Sequence, residues 1–321
     1  MLSLLLPGLN HEILSFFGMI AAFILTCLFL HSFMKYLPQD QGRAFAHDGA
    51  KSAGKPRGAG IIFILVFFFV RLLFGQFSAE YLIYELLVVA SMLTGFFDDS
   101  AEHPWGGFKK GMLDFLIAVA AAVNYIYFNG TEIYFRTFDK TVTLHPFLYG
   151  LLIIVLVWTS INVTNCADGV DGLSGTLSCI TLVTMFVLIQ SQGKHTDFNY
   201  DILLFFVCII AYLWFNANPS RLLMGDAGSR AMGMFIAVAA LKTENPFVYI
   251  LAAFVLLMDG GLGLLKVALL RFLKIRIFKK TRFPLHDHVR KNMNWSNTQC
   301  VMRFAIIQLV ISLALVYGSF I

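Results

Sequence analysis

Long apolar runs, separated by short polar loops, dominate the chain. About ten of them approach the length of about 20 residues that an α-helix needs to cross the roughly 30 Å apolar core of a bilayer. They fall near residues 12–34, 58–76, 79–97, 110–128, 147–164, 172–191, 201–215, 228–242, 247–271 and 300–320. The pattern predicts an all-α integral membrane protein with about ten transmembrane helices, in which residues 1–321 form a single polytopic domain.

Composition and charge agree with a chain whose solvent is the lipid bilayer. Of the 321 residues, 58% are hydrophobic and only 13% are charged, which excludes an ordinary soluble domain. Most of the lysines and arginines fall in odd-numbered loops, and cytoplasmic loops hold such residues in excess. We therefore expect both termini outside the cytoplasm. The net charge of +5 on the inner face suits anionic headgroups and phosphorylated substrates.

The predicted outer loop around residues 129–146 contains two short β-like stretches, at 133–135 and 141–144. Polar residues separate them, so a small outer β-hairpin is compatible with the pattern.

Three acidic, glycine-rich segments are predicted at the inner ends of the helices, where charge is costly unless it serves a function. They are GFFDDS with Asp98 and Asp99, NCADGVDGLSG with Asn165, Asp168 and Asp171, and LMGDAGS with Asp226. If the sixth helix begins near Asp168, this residue and Asp171 share one helical face. Asp226 is placed to cap the eighth helix. One such residue alone is usually a cap or a solvated charge, but three segments on one face indicate a site.

The predicted site has the chemistry of a metal-bound diphosphate. Mg²⁺ is usually held by one or two carboxylates together with substrate phosphates. The ninth loop adds His286, Asp287 and His288 in PLHDHVRKN; the histidine pair suits a transition metal, but the surrounding cations favour phosphate contact. The signatures GxGxxG, GxxxxGK[ST], HExxH and GxSxG do not occur, which disfavours common nucleotide-binding, zinc-protease and serine-hydrolase designs. We expect no nucleic-acid partner.

The ordered set of motifs resembles the polyprenyl-phosphate N-acetylhexosamine-1-phosphate transferase superfamily, glycosyltransferase family 4. The match runs from about Lys51 to Arg290: a DD pair, NxxDGxDGL, MGDxGS and a basic loop with an HxH core. Within it, the chain is most similar to the phospho-N-acetylmuramoyl-pentapeptide transferase branch. That similarity rests on RIFK at 276–279 followed by Pro-Leu-His-x-His, on Asp259 in the ninth span, and on KSAGKPRGAG at 51–60.

The resemblance implies a reaction in which undecaprenyl phosphate attacks the β-phosphorus of UDP-N-acetylmuramoyl-pentapeptide. The products are UMP and lipid I, and the reaction depends on Mg²⁺ at the cytoplasmic face of the bacterial inner (plasma) membrane. The expected catalytic residues are Asp98 and Asp99 near the lipid phosphate, with Asp98 as a candidate base, Asp226 as the Mg²⁺ ligand, and His286 and His288 on the diphosphate or sugar. The expected substrate-binding residues are Lys51, with Lys55 as its competitor, and Asn165, Asp168, Asp171, Leu223, Gly225 and Asp287.

Departures from the branch pattern keep alternatives open. Asp287 replaces the middle histidine of a triplet, Arg290 replaces a glutamate, and Leu223 stands where the branch has a phenylalanine expected to stack on uracil. A sister enzyme that transfers N-acetylglucosamine 1-phosphate to undecaprenyl phosphate is the first alternative, and a non-enzymatic lipid transporter is a remote one. A homodimer is compatible with the apolar faces.

The ninth predicted span contains an acid and a base. Asp259 and Lys266 are seven residues apart and hence on one helical face, which predicts a structural pair, and Gly260, Gly261 and Gly263 predict a bend there.

Overall fold

The computed structural model describes residues 10–42, 52–103, 105–192 and 197–319. These residues form mainly helices, connected by short loops. In chain order the helices are α1 His11–Phe33, α2 Gly60–Phe74, α3 Ala79–Asp99, α4 Gly107–Asn129, α5 Pro146–Cys166, α6 Leu173–Gln190, α7 Asp197–Asn216, α8 Gly225–Lys242, α9 Pro246–Ala252, α10 Phe254–Leu273, α11 Leu285–Asn292 and α12 Asn297–Gly318.

The helices have the length and composition of a multi-pass membrane protein. Among the described residues, seven are long and apolar enough to cross a bilayer, and there are eight if the bent pair α9 and α10 is one span. Helix α2 has only 15 residues, and α8 carries three charged residues, Asp226, Arg230 and Lys242. The prediction of a helical integral membrane protein is confirmed, whereas the number of ten spans stays a prediction.

Helix α8 is the centre of the bundle. Every residue from Gly225 to Leu241 is buried, and α8 packs most extensively against α3 and α5. Glycines permit this packing: a side chain at Gly60 of α2 would overlap the backbone of Gly228 in α8. Small residues let membrane helices approach closely. The helix that carries Asp226 is therefore the most enclosed one.

The break between α9 and α10 produces a bend of 74°. It falls at Ala253, where Gln308 of α12 inserts: its amide nitrogen donates to the carbonyl of Ala252 (2.9 Å) and its amide oxygen accepts from the backbone of Val255 (2.8 Å). The 74° bend therefore lies at Ala253 and not at the glycines, and Gln308 satisfies the backbone groups freed there. The glycine segment instead forms a π-helical turn over Leu257–Gly261.

Between α4 and α5, β1 (Glu132–Phe135) and β2 (Lys140–Thr143) pair in antiparallel register, with Glu132 opposite Thr143. The turn between them contains Asp139 in the left-handed region. The side of the membrane on which these strands lie stays a prediction.

Candidate active site

Loops from several helices meet at one end of the bundle. The segment before α2 lies along the segment before α8: the carbonyl of Pro56 accepts from the backbone of Leu223 (2.8 Å), and the carbonyl of Leu223 accepts from the backbone of Ala59 (3.0 Å). This backbone pairing fixes Arg57 beside the start of α8. Lys51, a predicted substrate contact, lies outside the described residues.

Arg57 joins three carboxylates that are distant in sequence. Its Nε lies 2.9 Å from Asp99, its Nη2 lies 3.3 Å from Asp226, and its Nη1 lies 3.2 Å from Asp40. Burial disfavours the guanidinium cation, but the carboxylates of Asp99, Asp226 and Asp40 outweigh burial and raise the pKa of Arg57 above its ordinary value. Arg57 is therefore a permanent cation at the centre of the acidic cluster.

Lys110, near the start of α4, is the second cation of the cluster. Its Nζ contacts the carboxylate of Asp98 and lies 3.3 Å from Oδ2 of Asp226. The other oxygen of Asp98 accepts a hydrogen bond from the backbone of Trp105 at 2.7 Å. Asp98 and Asp226 therefore share one ammonium group.

The end of α3 caps the start of α8. Asp226 is in the first turn of α8 and does not cap it, so that prediction is wrong. Oδ2 of Asp99 instead accepts from the backbone N–H of Ala227 at 3.2 Å. Gly225 has a φ of +68°, and a β-carbon there would come within 2.9 Å of Cγ of Asp99. Glycine at this position lets the Asp99 carboxylate reach the helix.

Asp168 and Asp171 lie in the turn that precedes α6, not on a helical face. The helix begins only at Leu173, because Gly172 adopts a φ of +84° and its N–H donates to Asn216 of α7 at 2.8 Å. The prediction of a shared helical face is therefore wrong.

Two of the predicted substrate-binding residues have partners elsewhere in the bundle. Oδ2 of Asp171 accepts from the backbone of Ser220 at 3.1 Å and lies 3.6 Å from Nζ of Lys55. The side chain of Asn165 donates to Oγ of Ser229 in α8 at 3.0 Å. Asn165 thus ties α5 to α8.

A cavity of about 810 Å³ lies beside the acidic cluster. Its wall includes three cations, Lys55, Arg57 and Arg290. The predicted residues on its wall are Asp168, Asp171, Leu223 and Gly225. Arg57 lines this cavity and also contacts the carboxylates of Asp99 and Asp226. The site thus has a large charged cavity and an adjacent acidic cluster.

His286 is held by Asp259. One Asp259 oxygen accepts from the backbone of His286 (2.7 Å), and the other lies 2.8 Å from its Nδ1. The opposite nitrogen, Nε2, packs against Gly169, where any side chain would overlap it. The predicted pairing of Asp259 with Lys266 is wrong, since Lys266 donates to the carbonyls of Phe278 (3.0 Å) and Thr281 (2.9 Å).

The rest of the histidine loop is held by internal contacts. Asp287 is buried and pairs with Nη2 of Arg290 at 2.7 Å. The same Nη2 donates to the carbonyl of Gly169 at 3.3 Å. Nδ1 of His288 accepts from the backbone of Arg282 at 3.3 Å. Substrate contact by Asp287 and His288 stays a prediction, and Arg290 is the residue of this loop that lines the cavity.

Sequence reasoning missed Arg57 and Lys110 as members of the site. Each is a basic residue close to a glycine and near the predicted start of a helix, at 58 and at 110. The signal that could have identified them is charge balance: three carboxylates that converge on one site need nearby cations.

The fold and the site define a multi-pass membrane protein that gathers carboxylates and cations at one end of its bundle. Residues 81–244, from α3 to α8, match the family model described as Glycosyl transferase family 4. The chain belongs to this glycosyltransferase family. The family membership predicted from the motifs is confirmed.

Full-length relatives are named phospho-N-acetylmuramoyl-pentapeptide-transferase. The protein of Treponema pallidum (strain Nichols) is 42% identical over 95% of this chain and 89% of its own length. That of Symbiobacterium thermophilum is 30% identical over 78% of each chain. That of Dictyoglomus turgidum is 28% identical over 93% of this chain and 96% of its own.

Proposed function

We propose that this protein transfers phospho-N-acetylmuramoyl-pentapeptide from its UDP-linked donor to undecaprenyl phosphate, giving lipid I and UMP for peptidoglycan synthesis. The carrying observation is the convergence of Asp98, Asp99 and Asp226 with Arg57 and Lys110 beside a cavity of about 810 Å³. The names of the relatives support this donor over UDP-N-acetylglucosamine.

Both substrates are anionic, so the site must neutralise and align them. A phosphate oxygen of the acceptor forms a bond to the β-phosphorus of the donor, the bond from that phosphorus to the bridging oxygen breaks, and UMP leaves with the electron pair. Positioning and electrostatic stabilisation supply most of the rate in phosphoryl transfer. Arg57 borders both the cavity and the carboxylates, so its guanidinium is placed to exchange a carboxylate for a donor phosphate.

The chemistry of the acidic cluster fits Mg²⁺ as cofactor. The two oxygens of Asp226 face Arg57 and Lys110, each at 3.3 Å, so each oxygen already stands opposite a cation. The described residues include no group of three side chains able to hold a metal, and Mg²⁺ commonly takes one or two carboxylates with substrate phosphates and waters. Asp226 would hold the ion, which supplies Lewis-acid stabilisation of the diphosphate.

Asp98 is better suited to positioning than to proton transfer. The acceptor is a phosphate monoester with a second pKa near 6, so it is largely a dianion at neutral pH and needs no base. Asp98 also pairs with Lys110, so its carboxylate is engaged by that ammonium group. Asp98 therefore holds Lys110 near the acceptor phosphate.

The cavity is assigned to the donor. Asp168, Asp171, Leu223 and Gly225 on its wall would face the nucleotide-sugar. Contact of His286 and His288 with the diphosphate or sugar, and of Asn165 and Asp287 with the substrate, stays a prediction.

The orientation is inferred from the distribution of basic residues, and the location from the family. We place about ten spans in the plasma membrane of a bacterium, with both termini outside, the site on the cytoplasmic face and the pair β1–β2 outside. A homodimer through lipid-facing helices stays a prediction.

The test is UMP release by the purified protein with undecaprenyl phosphate, Mg²⁺ and one UDP-sugar at a time. We expect UMP from UDP-N-acetylmuramoyl-pentapeptide and none from UDP-N-acetylglucosamine, with Asp226→Asn as the inactive control. UMP from UDP-N-acetylglucosamine alone would assign the sister activity instead. Lipid movement across vesicles without UMP would indicate a transporter.

A further inference from the structure

A second ion pair accompanies the contact between Lys110 and Asp226. Helix α4 carries Lys110 and Asp114, and α8 carries Asp226 and Arg230, so each helix presents two opposite charges four residues apart. One helical turn beyond the first contact, the carboxylate of Asp114 pairs with the guanidinium of Arg230. The order of charges on α8 is the reverse of that on α4, so two cross-helix pairs form.

This second pair is more enclosed than the first. The side chains of Asp114 and Arg230 are 2% and 4% exposed, whereas the side chain of Lys110 is 27% exposed. Asn162 of α5 also donates to the second oxygen of Asp114 at 3.3 Å. Because removing one member of a buried pair leaves an uncompensated charge, each must find another partner when the first is lost.

Alternative partners of opposite charge stand one helical turn away, in the acidic cluster. Without Arg230, the carboxylate of Asp114 lies one turn from the ammonium of Lys110 on the same helix. Without Asp114, the guanidinium of Arg230 lies one turn from the carboxylate of Asp226. Charges at this spacing attract each other. Each member of the pair thus prevents the other from disturbing the Lys110–Asp226 contact.

We propose that Asp114 and Arg230 are positioning residues that hold each other, so that Arg230 does not become a further cation that competes with Mg²⁺ for Asp226, and Asp114 does not withdraw Lys110. The proposal rests on the proposed function, in which Asp226 holds Mg²⁺. It assigns a role in metal affinity and alignment to two side chains that touch neither substrate.

The experiment measures Mg²⁺ binding without either substrate, from the Mg²⁺-dependent rise of the thermal unfolding midpoint in detergent. With Asp114→Asn, Arg230 turns to Asp226 and the Mg²⁺ Kd rises about tenfold. With Arg230→Met, Lys110 turns to Asp114, so the Mg²⁺ Kd stays level or falls while kcat drops about tenfold. The double variant leaves no competing charge, and we expect its Kd and kcat within about twofold of the wild type.

A matched control is available at the far end of the same helix. Lys242 pairs with Glu80 of α3 at 3.0 Å, and Lys242→Met is expected to lower the unfolding midpoint without changing the Mg²⁺ Kd. The double variant decides the matter even if the single variants do not fold. A purely structural clamp predicts that Asp114→Asn/Arg230→Met loses Mg²⁺ affinity, and this result overturns the proposal.

The proposed function is judged separately, by UMP release from the wild type. Wild-type UMP release together with equal Mg²⁺ affinity in all the variants overturns the positioning role alone. If Mg²⁺ does not change the thermal unfolding midpoint of the wild type, the proposed role of the pair in Mg²⁺ binding is overturned, whatever the transferase assay gives.

Discussion

Replacing Arg57 by methionine tests the electrostatic design of the site. The side chain lies 2.9 to 3.3 Å from three carboxylates, Asp99, Asp226 and Asp40. At an effective dielectric constant near 20, one such contact has a Coulomb energy of about 5 kcal/mol before desolvation is counted. Breaking a buried pair typically costs about 3–5 kcal/mol because a charge is left uncompensated. We expect Arg57→Met to destabilise the protein by about that amount.

In Arg57→Met, we expect kcat to fall by more than the loss of folding stability alone would produce. If Arg57 also contacts the donor diphosphate, its loss lowers kcat by about 10²- to 10³-fold. Arg57→Lys keeps the charge but not the planar guanidinium group that reaches three carboxylates, so we expect its kcat to lie between those of the wild type and Arg57→Met. The assays are UMP release and the thermal unfolding midpoint in detergent.

Lys55→Met is the matched control for stability. Among the described residues, Lys55 pairs with one carboxylate, Asp171, at 3.6 Å, and its side chain is 26% exposed, so we expect a loss below about 1 kcal/mol. Because the pKa of Arg57 is raised, its contribution to stability is fully present below its ordinary pKa and is lost only as the pH rises through the raised one. The gap between wild type and Arg57→Met should therefore not vary between about pH 7 and pH 9. An Arg57→Met protein with wild-type midpoint and kcat would refute the reasoning.

Three further substitutions probe neighbouring groups by UMP release. Asp226→Asn should lower kcat by at least about 10²-fold, because it removes the proposed metal ligand; a fully active variant contradicts that role. Asp98→Asn should lower the rate but keep the shape of the pH–rate profile, and loss of a limb would restore the base role. Asp259→Asn should lower kcat about tenfold or more, since the carboxylate fixes the tautomer of His286, and Asp259→Glu should recover part of it; equal rates in both variants and the wild type contradict this.

The hydrophobic pattern alone located most of the long helices, although it gave α9 and α10 as one run and did not indicate α11. Lipid requires backbone groups to be satisfied within each segment, so an apolar run of sufficient length has few alternatives to a helix. Predicted runs at 79–97 and 147–164 correspond to α3 and α5 within a few residues. The motifs likewise identified the family, because their order along the chain is specific.

Errors arose where a local rule competed with a distant partner. The 74° bend lies at Ala253, where Gln308 of α12 satisfies the backbone, and the glycines at 260, 261 and 263 gave no indication of this partner. Asp226 was predicted to cap α8, but the carboxylate that accepts from the first turn of α8 is that of Asp99, which comes from another helix.

The sequence by itself determined that the chain is a helical membrane protein of this family, since hydrophobic length and motif order are local properties. Only the tertiary structure decided which charges meet. Asp226 contacts Arg57, which is 169 residues away in the chain, and Lys110, which is 116 residues away. Spacing along the chain carries no information about such pairs. Their choice depends on helix packing around α8, where small residues bring separate loops close enough for a few buried charges to compensate one another.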